Sequence, residues 1–268
     1  MVFAQSRNYF TFRKLREQLS HMDLKAQSSP FVKQLASSDR HARDEALQSL
    51  RVYLGSRKGL NDIELLKLWK GLFYCMWMSD KRPVQQRLAN DLASLVDILP
   101  HETVLPFLSA FWKTMAAQWS EIDRLRMDKF LLLIRRYLHT SFKFLSHDNW
   151  KNTSDITAHA EVLQTTPLNI YDSKIPNGLR LHVADIFIDE LDRVDEERQG
   201  HMPLNTMLEP LKELGTKSPT KPVRERVKEA LEDERLQDWN GTGQEKPSSS
   251  GAELAVESDE EEWAGIDE

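Results

Sequence analysis

Cysteine is nearly missing from this sequence: Cys75 is the only one in 268 residues. A single thiol excludes an intrachain disulfide framework and a cysteine metal cluster. Because Cys75 lies inside the apolar run LFYCMWM, it is expected to be a buried thiol rather than a nucleophile, in a reducing compartment such as cytosol or nucleus. Glycine is scarce as well, at ten residues, and alternation of period 2 is not sustained, so strand signals are almost absent. No apolar run approaches the ~20 residues that crossing a bilayer requires, and no secretory hydrophobic segment occurs, so no membrane association is expected. The phosphate-binding pattern G-x-x-x-x-G-K-[ST] is missing, and Gly241 to Gly243, the one G-x-G, has no strand before it. There is no G-x-S-x-G elbow, His101-Glu102 lacks the second histidine of a zinc protease, and the eight histidines are scattered. His182 borders the apolar side of its helix and reads as a structural, hydrogen-bonded histidine. No catalytic constellation, metal site, cofactor or small-molecule substrate is expected.

Basic residues vanish from the end of the chain. Glu253 to Glu268 holds eight acidic residues and no basic one, so the overall charge of -6 hides a body with 36 basic against 34 acidic residues. An acidic total therefore does not argue against nucleic acid nearby. Composition divides the chain into a flexible basic arm at 1–29, a helical-repeat region at 30–239, and a disordered linker with an acidic tail at 240–268. The Arg-bearing start can also mimic an organelle transit peptide, but a flexible arm is the plainer reading. Within the tail, Ser258 precedes Asp259, Glu260 and Glu261, a setting in which phosphorylation would add negative charge. Trp263 and Ile266 are candidate anchors for a partner.

What the chain has in quantity is helical periodicity. Ser38 or Asp39 can cap a helix carrying Ala42, Ala46, Leu50, Val52 and Leu54. Asn61 or Asp62 opens a second, Leu65 to Met78, in which Leu65, Trp69, Leu72 and Met76 recur at helical spacing with Leu66, Phe73 and Trp77 beside them. The remaining strip holds Lys67, Lys70 and Tyr74, which we take as candidate partner contacts. A third helix starts at Pro83 with Val84, Leu88, Leu92, Leu95 and Leu99. Val104, Leu108, Phe111, Met115 and Trp119 form a fourth, with Pro106 forcing a late start or a kink. The longest runs from Ile122 to about His147, and others follow at 156–163, after Pro176-Asn177-Gly178, from Pro203 to 214, and from Lys221 to Trp239. Helix pairs starting near Arg40, Pro83 and Ile122 give a period of ~40 residues, as in HEAT or armadillo stacking, with a late fourth pair near Gly178. The expectation is an all-α fold, an α-solenoid of HEAT/armadillo-like helix pairs with a disordered acidic C-terminal tail; a compact non-repeating bundle is the rival.

Two basic groups are candidates for RNA: the stripe Lys129, Arg136 and Lys143 on the longest helix, and the segment with Lys217, Lys221, Arg224, Arg226 and Lys228. Glu213 and Glu225 dilute the second. The carboxylates Asp189, Asp192 and Asp195-Glu196-Glu197 read as a solvated helix end.

The stretches PFVKQLASSDRHARDEAL, LLKLWKGLFYCMWMSDK followed by VQQRLA, LRMDKFLLLIRR and IPNGLRLHVADIFIDEL resemble the ribosomal RNA processing protein 1 family of eukaryotic nucleolar proteins. They span about Pro30 to Val194, and SDEEEW at 258–263 is similar to an acidic ending in the same family. The resemblance implies a helical repeat and a non-enzymatic assembly factor of the large (60S) ribosomal subunit. It also implies a nucleolar place in early pre-60S particles, a need for the protein in precursor rRNA processing, and partners among other assembly factors, ribosomal proteins and precursor rRNA. A general α-solenoid adaptor without a ribosomal role is the alternative that the residues alone leave open.

Overall fold

The computed structural model describes residues 30–240, apart from 36, 57 and 58. The helices are α1 (Pro30–Leu35), α2 (Arg40–Ser56), α3 (Asp62–Trp77), α4 (Arg82–Ala93), α5 (His101–Gln118), α6 (Arg124–Leu145), α7 (His147–Trp150), α8 (Thr153–Thr165), α9 (Asn177–Val194), α10 (Leu204–Lys217), α11 (Lys221–Leu231) and α12 (Arg235–Asn240). Single 3₁₀ turns follow α4 and α5, and no strand occurs among the described residues.

Local chemistry sets most of the starts. At α3 the Asn61 side chain accepts from the Glu64 amide at 3.0 Å while the Glu64 carboxylate accepts from the Asn61 amide at 3.1 Å, a reciprocal cap that serves two otherwise orphaned donors. Asp123 caps α6 by accepting from the amides of Leu125 and Arg126, and Asn152 caps α8 through the Asp155 amide. Pro83 and Pro222 stand in the first turns of α4 and α11, where a missing N–H costs nothing. Pro106 causes no late start: α5 begins five residues before it. The carbonyl it leaves unserved is that of Glu102, an exposed residue in the first turn, where water can serve it.

Many helices pack on a helix beyond their immediate neighbour, while α1–α2 and α10–α11 pack directly on each other. One layer runs α1, α3, α5, α8, α10; the other brings α4, α6, α9 and α11 together, with Arg51 tying α2 to the end of α4 through the Asp91 carbonyl and Ser94 Oγ. This is the two-layer order of a solenoid of helix pairs (α2–α3, α4–α5, α6–α8, α9–α10), and the start positions near 40, 82 and 124 keep the expected period. The fourth pair is late because α7 and the 166–176 loop intervene. Arg180 organises that loop, donating to the carbonyls of Asn169, Asp172 and Ile175 and to Asn177 Oδ1. The layers meet closely at Gly215, where an added Cβ would lie 2.9 Å from Val227 Cγ1.

Trp69 sits at the centre. Its indole packs on Phe107, Phe111 and Tyr137 with ring centroids 4.8–5.0 Å apart, and its Nε1 donates to the Phe107 carbonyl at 3.0 Å. Tyr137 stacks on Phe111 and donates its hydroxyl to the Leu92 carbonyl. Residues from α3, α4, α5 and α6 are thus joined at one point, and Leu65, Leu72 and Met76 extend the same buried face. Two apolar assignments differ from the periodic reading. Val52 and Leu66 are 69% and 36% exposed, because the core phase of α2 runs through Arg43, Ala46, Leu47, Leu50 and Leu54, and that of α3 through Leu65, Leu68, Trp69 and Leu72.

Truncating Trp69 to alanine is expected to cost about 3–5 kcal/mol in urea unfolding. Tyr137→Phe should cost only about 1–2 kcal/mol, since it removes one donor from the buried Leu92 carbonyl. A Phe variant as stable as the parent would mean that water serves that carbonyl.

Candidate interaction surface

The α3 strip divides under packing. Lys67 and Lys70 are half-buried and keep their positions on the outside, but Tyr74 is 4% exposed and packs edge-on against Phe73. Burial, with Glu121 nearby, raises the Tyr74 pKa. Tyr74 is therefore corrected from a partner contact to a core residue, because the α3 helix is enclosed on all sides in its second half. In its first half the outer strip is continued by Ile63, 64% exposed, and Leu66. Ile63, Leu66, Lys67 and Lys70 fall at i, i+3, i+4 and i+7, one face of the helix. On the adjacent α5, Leu105 is half-exposed and Lys113 exposed. Lys67, Lys70 and Lys113 make no ion pair among the described residues.

The α6 stripe does not form. Lys129 is 4% exposed, and its ammonium donates to the carbonyls of Trp77 and Ser79 at 2.7 and 2.6 Å, serving the C-terminal end of α3. Burial, reinforced by Arg126 and offset by Asp80 and Asp123, lowers its pKa to about 8. Lys129 is thus corrected from an RNA contact to an internal cap. Arg136 is half-buried, with an enclosed Nε that has no hydrogen-bond partner, and Lys143 is exposed 3.4 Å from Asp97.

The second basic group is largely matched by its own helix. Lys217 pairs with Glu213 at 2.8 Å, Lys221 with Glu225 at 3.4 Å, Lys228 with Glu232 at 3.6 Å and Arg226 with Asp185 at 3.2 Å, while Arg224 donates to the Ser218 carbonyl. Such exposed pairs are worth under about 1 kcal/mol and can be exchanged for phosphate. Ser258, Trp263 and Ile266 lie outside the described residues, as do the basic arm and the acidic tail.

Asp189, Asp192 and Asp195 are corrected from a solvated helix end to a structural latch, while Glu196 and Glu197 are exposed. Glu190 is fully buried between Arg135 at 3.0 Å, Arg193 at 3.1 Å and His139 at 3.2 Å. Asp189 and Asp192 receive Arg235 of α12 at 2.9 and 3.3 Å, and Asp195 accepts from the indoles of Trp150 and Trp239. Trp150 reaches Asp195 through three successive left-handed residues, Asp148, Asn149 and Trp150, with φ of 53°, 55° and 60°, each costing about 1–2 kcal/mol. The spacing of Asp189, Asp192 and Asp195 on one side of α9 was a visible signal; that Arg235 and Trp239 would return to it was not.

Cys75, His159 and His182 are structural. Cys75 is buried and its thiol is pushed up to about 12, so it is protonated at neutral pH. His159 is buried, edge-on to Phe142, and burial lowers it to about 4. His182 Nε2 lies 3.0 Å from the Leu131 carbonyl, in keeping with the structural histidine expected there. Among the described residues no group of His, Cys, Asp and Glu could hold a metal ion, and no helix is long and apolar enough to cross a membrane.

The model of a family described as "Nucleolar protein, Nop52" matches residues 26–267. The chain is 42% identical over 170 residues to human "Ribosomal RNA processing protein 1 homolog B", covering 61% of this chain and 22% of that protein. It is 41% identical over 172 residues to human "Ribosomal RNA processing protein 1 homolog A", covering 62% and 37%. With the Dictyostelium discoideum "Ribosomal RNA processing protein 1 homolog" it shares 31% identity over 225 residues, 76% of this chain and 45% of that protein. The chain spans less than half the length of these curated relatives.

Lys129 yields a pH test. Its ammonium loses a proton at about 8 in the folded chain and at 10.5 when unfolded, so the unfolded state holds more protons between those values and stability rises with pH across the window. Compared with Lys129→Met, the parent should gain in urea midpoint from pH 8 to 10.5; a flat difference would show that Lys129 is not desolvated.

Proposed function

The chain belongs to the Nop52 family of nucleolar proteins, and we propose from that premise that it is a non-enzymatic assembly factor of the large (60S) ribosomal subunit. In this reading it scaffolds early nucleolar pre-60S particles and is required for processing of precursor rRNA. The observation that carries the reading is the family match over residues 26–267, which covers the whole helical body. Relatives bearing a ribosomal RNA processing name at 31–42% identity support it. The nucleolus is the proposed location.

The architecture suits the role. A two-layer solenoid is stiff along its length and offers long faces to neighbours in a particle. We assign contact with other assembly factors or ribosomal proteins to the α3–α5 face, formed by Ile63, Leu66, Lys67, Lys70, Leu105 and Lys113. Precursor rRNA is assigned to Arg136, Lys143 and the α10–α11 cations Lys217, Lys221, Arg224, Arg226 and Lys228, whose weak surface pairs a phosphate can replace.

Reversing charge at the two half-buried, outward-facing lysines of α3 should separate contact from folding. Lys67→Glu with Lys70→Glu is expected to leave urea stability within about 0.5 kcal/mol of the parent and to lower the fraction that sediments with pre-60S particles several-fold. Depletion of the protein should raise the longer rRNA precursors. Unchanged sedimentation of the double variant would remove the α3–α5 face from the interaction, and unchanged precursor levels would remove the assembly role.

A further inference from the structure

The α3–α5 face has two chemical properties at once. Ile63 and Leu66 present exposed apolar groups, and Lys67, Lys70 and Lys113 present ammoniums that no carboxylate answers among the described residues. Some exposed cations elsewhere are partnered, Lys143 with Asp97, Lys217 with Glu213, Lys221 with Glu225, Arg226 with Asp185 and Lys228 with Glu232, while others, such as Arg124, Lys151 and Lys174, make no ion pair among the described residues. A surface of this kind selects an acidic segment that carries bulky apolar anchors.

The same sequence contains such a segment. Residues 253–268 hold eight carboxylates and no cation, together with Trp263 and Ile266. The two anchors are three positions apart, as Ile63 and Leu66 are. We propose that residues 253–268 of this chain dock on the α3–α5 face of the same molecule, with Trp263 and Ile266 on the Ile63–Leu66 side and the carboxylates facing Lys67, Lys70 and Lys113.

Reach permits it. Trp263 follows Asn240, the end of α12, by 23 residues, a span of at most about 80 Å when extended. Within its layer α3 is three helix steps from α10, and neighbouring helices stand about 8–10 Å apart, so the distance to cover is well inside that limit. A tether of this length holds the segment at about millimolar effective concentration, enough for weak contacts to close the face. A basic protein that takes the acidic segment would then uncover the face, linking one partner's arrival to another's.

The inference rests on reading α3–α5 as an interaction surface, and its test is independent of ribosomal particles. The 268-residue chain is treated with a zero-length carbodiimide reagent in dilute solution and the products are mapped by mass spectrometry. Crosslinks from Lys67, Lys70 or Lys113 to carboxylates within 257–268 are expected, with a yield that does not change on dilution. Trp263→Ala with Ile266→Ala, outside the helical body, should cut that yield several-fold while leaving every carboxylate in place. Absence of these crosslinks, their spread over lysines at large, or indifference to the double variant overturns the proposal. A yield that falls on dilution also overturns it, and identifies a second copy as the occupant. If the crosslinks are absent while Lys67→Glu with Lys70→Glu still loses particle association, the face belongs to another protein's segment and only the tail assignment falls.

Discussion

Enclosure of the Trp69 indole is the constraint on which the solenoid depends. A large ring with one polar atom can be buried fully only if that atom is bonded and the ring is met on several sides. The Phe107 carbonyl meets the first condition, and Phe107, Phe111 and Tyr137 meet the second. Because Tyr137 in turn needs the Leu92 carbonyl for its hydroxyl, the chain from α3 to α6 is fixed by one chain of requirements. A pure aliphatic seam would hold the same helices together with less definition of their relative positions.

Charge is handled in two contrasting ways around that centre. Lys129 and Glu190 are taken inside and given partners, the first to close the end of α3, the second to join α6 and α9 through Arg135, Arg193 and His139. Pairs of this kind fix geometry more than they add stability, since removing each ion from water consumes most of the attraction gained. On the outside, by contrast, cations of α10 and α11 are matched by carboxylates one turn away. The α3–α5 face carries unpaired lysines beside the exposed Ile63 and Leu66, the combination on which we propose it as a partner surface.

The scaffold role we propose is consistent with the same physics. Cys75 and His159 are sealed in the core and held neutral there. What reaches solvent is shape, exposed apolar groups and charge, the means by which helical repeats recognise other molecules. Within the Nop52 family this favours reading the chain as a positioned surface in a particle.

The sequence by itself determined most of the helices, the capped start at Asn61 with Glu64 and the pairing period, because these depend on residues three or four apart; it did not show that α5 runs through Pro106 or that the chain breaks between α11 and α12. It also determined the family, through the block around Trp69. Only the tertiary structure decided what each charge and ring does. Lys129 and Lys143 lie fourteen positions apart on one helix with like chemistry, yet the first is drawn beneath α3 while the second stays in water. Tyr74 and Lys70 share a strip, and packing closed over the first alone. The Asp189, Asp192 and Asp195 carboxylates became a latch only because Arg235 and Trp239 return more than forty residues later. Periodicity gives the face of a helix, but burial depends on which other helix arrives at that face, and that is set by contacts between residues far apart in the chain.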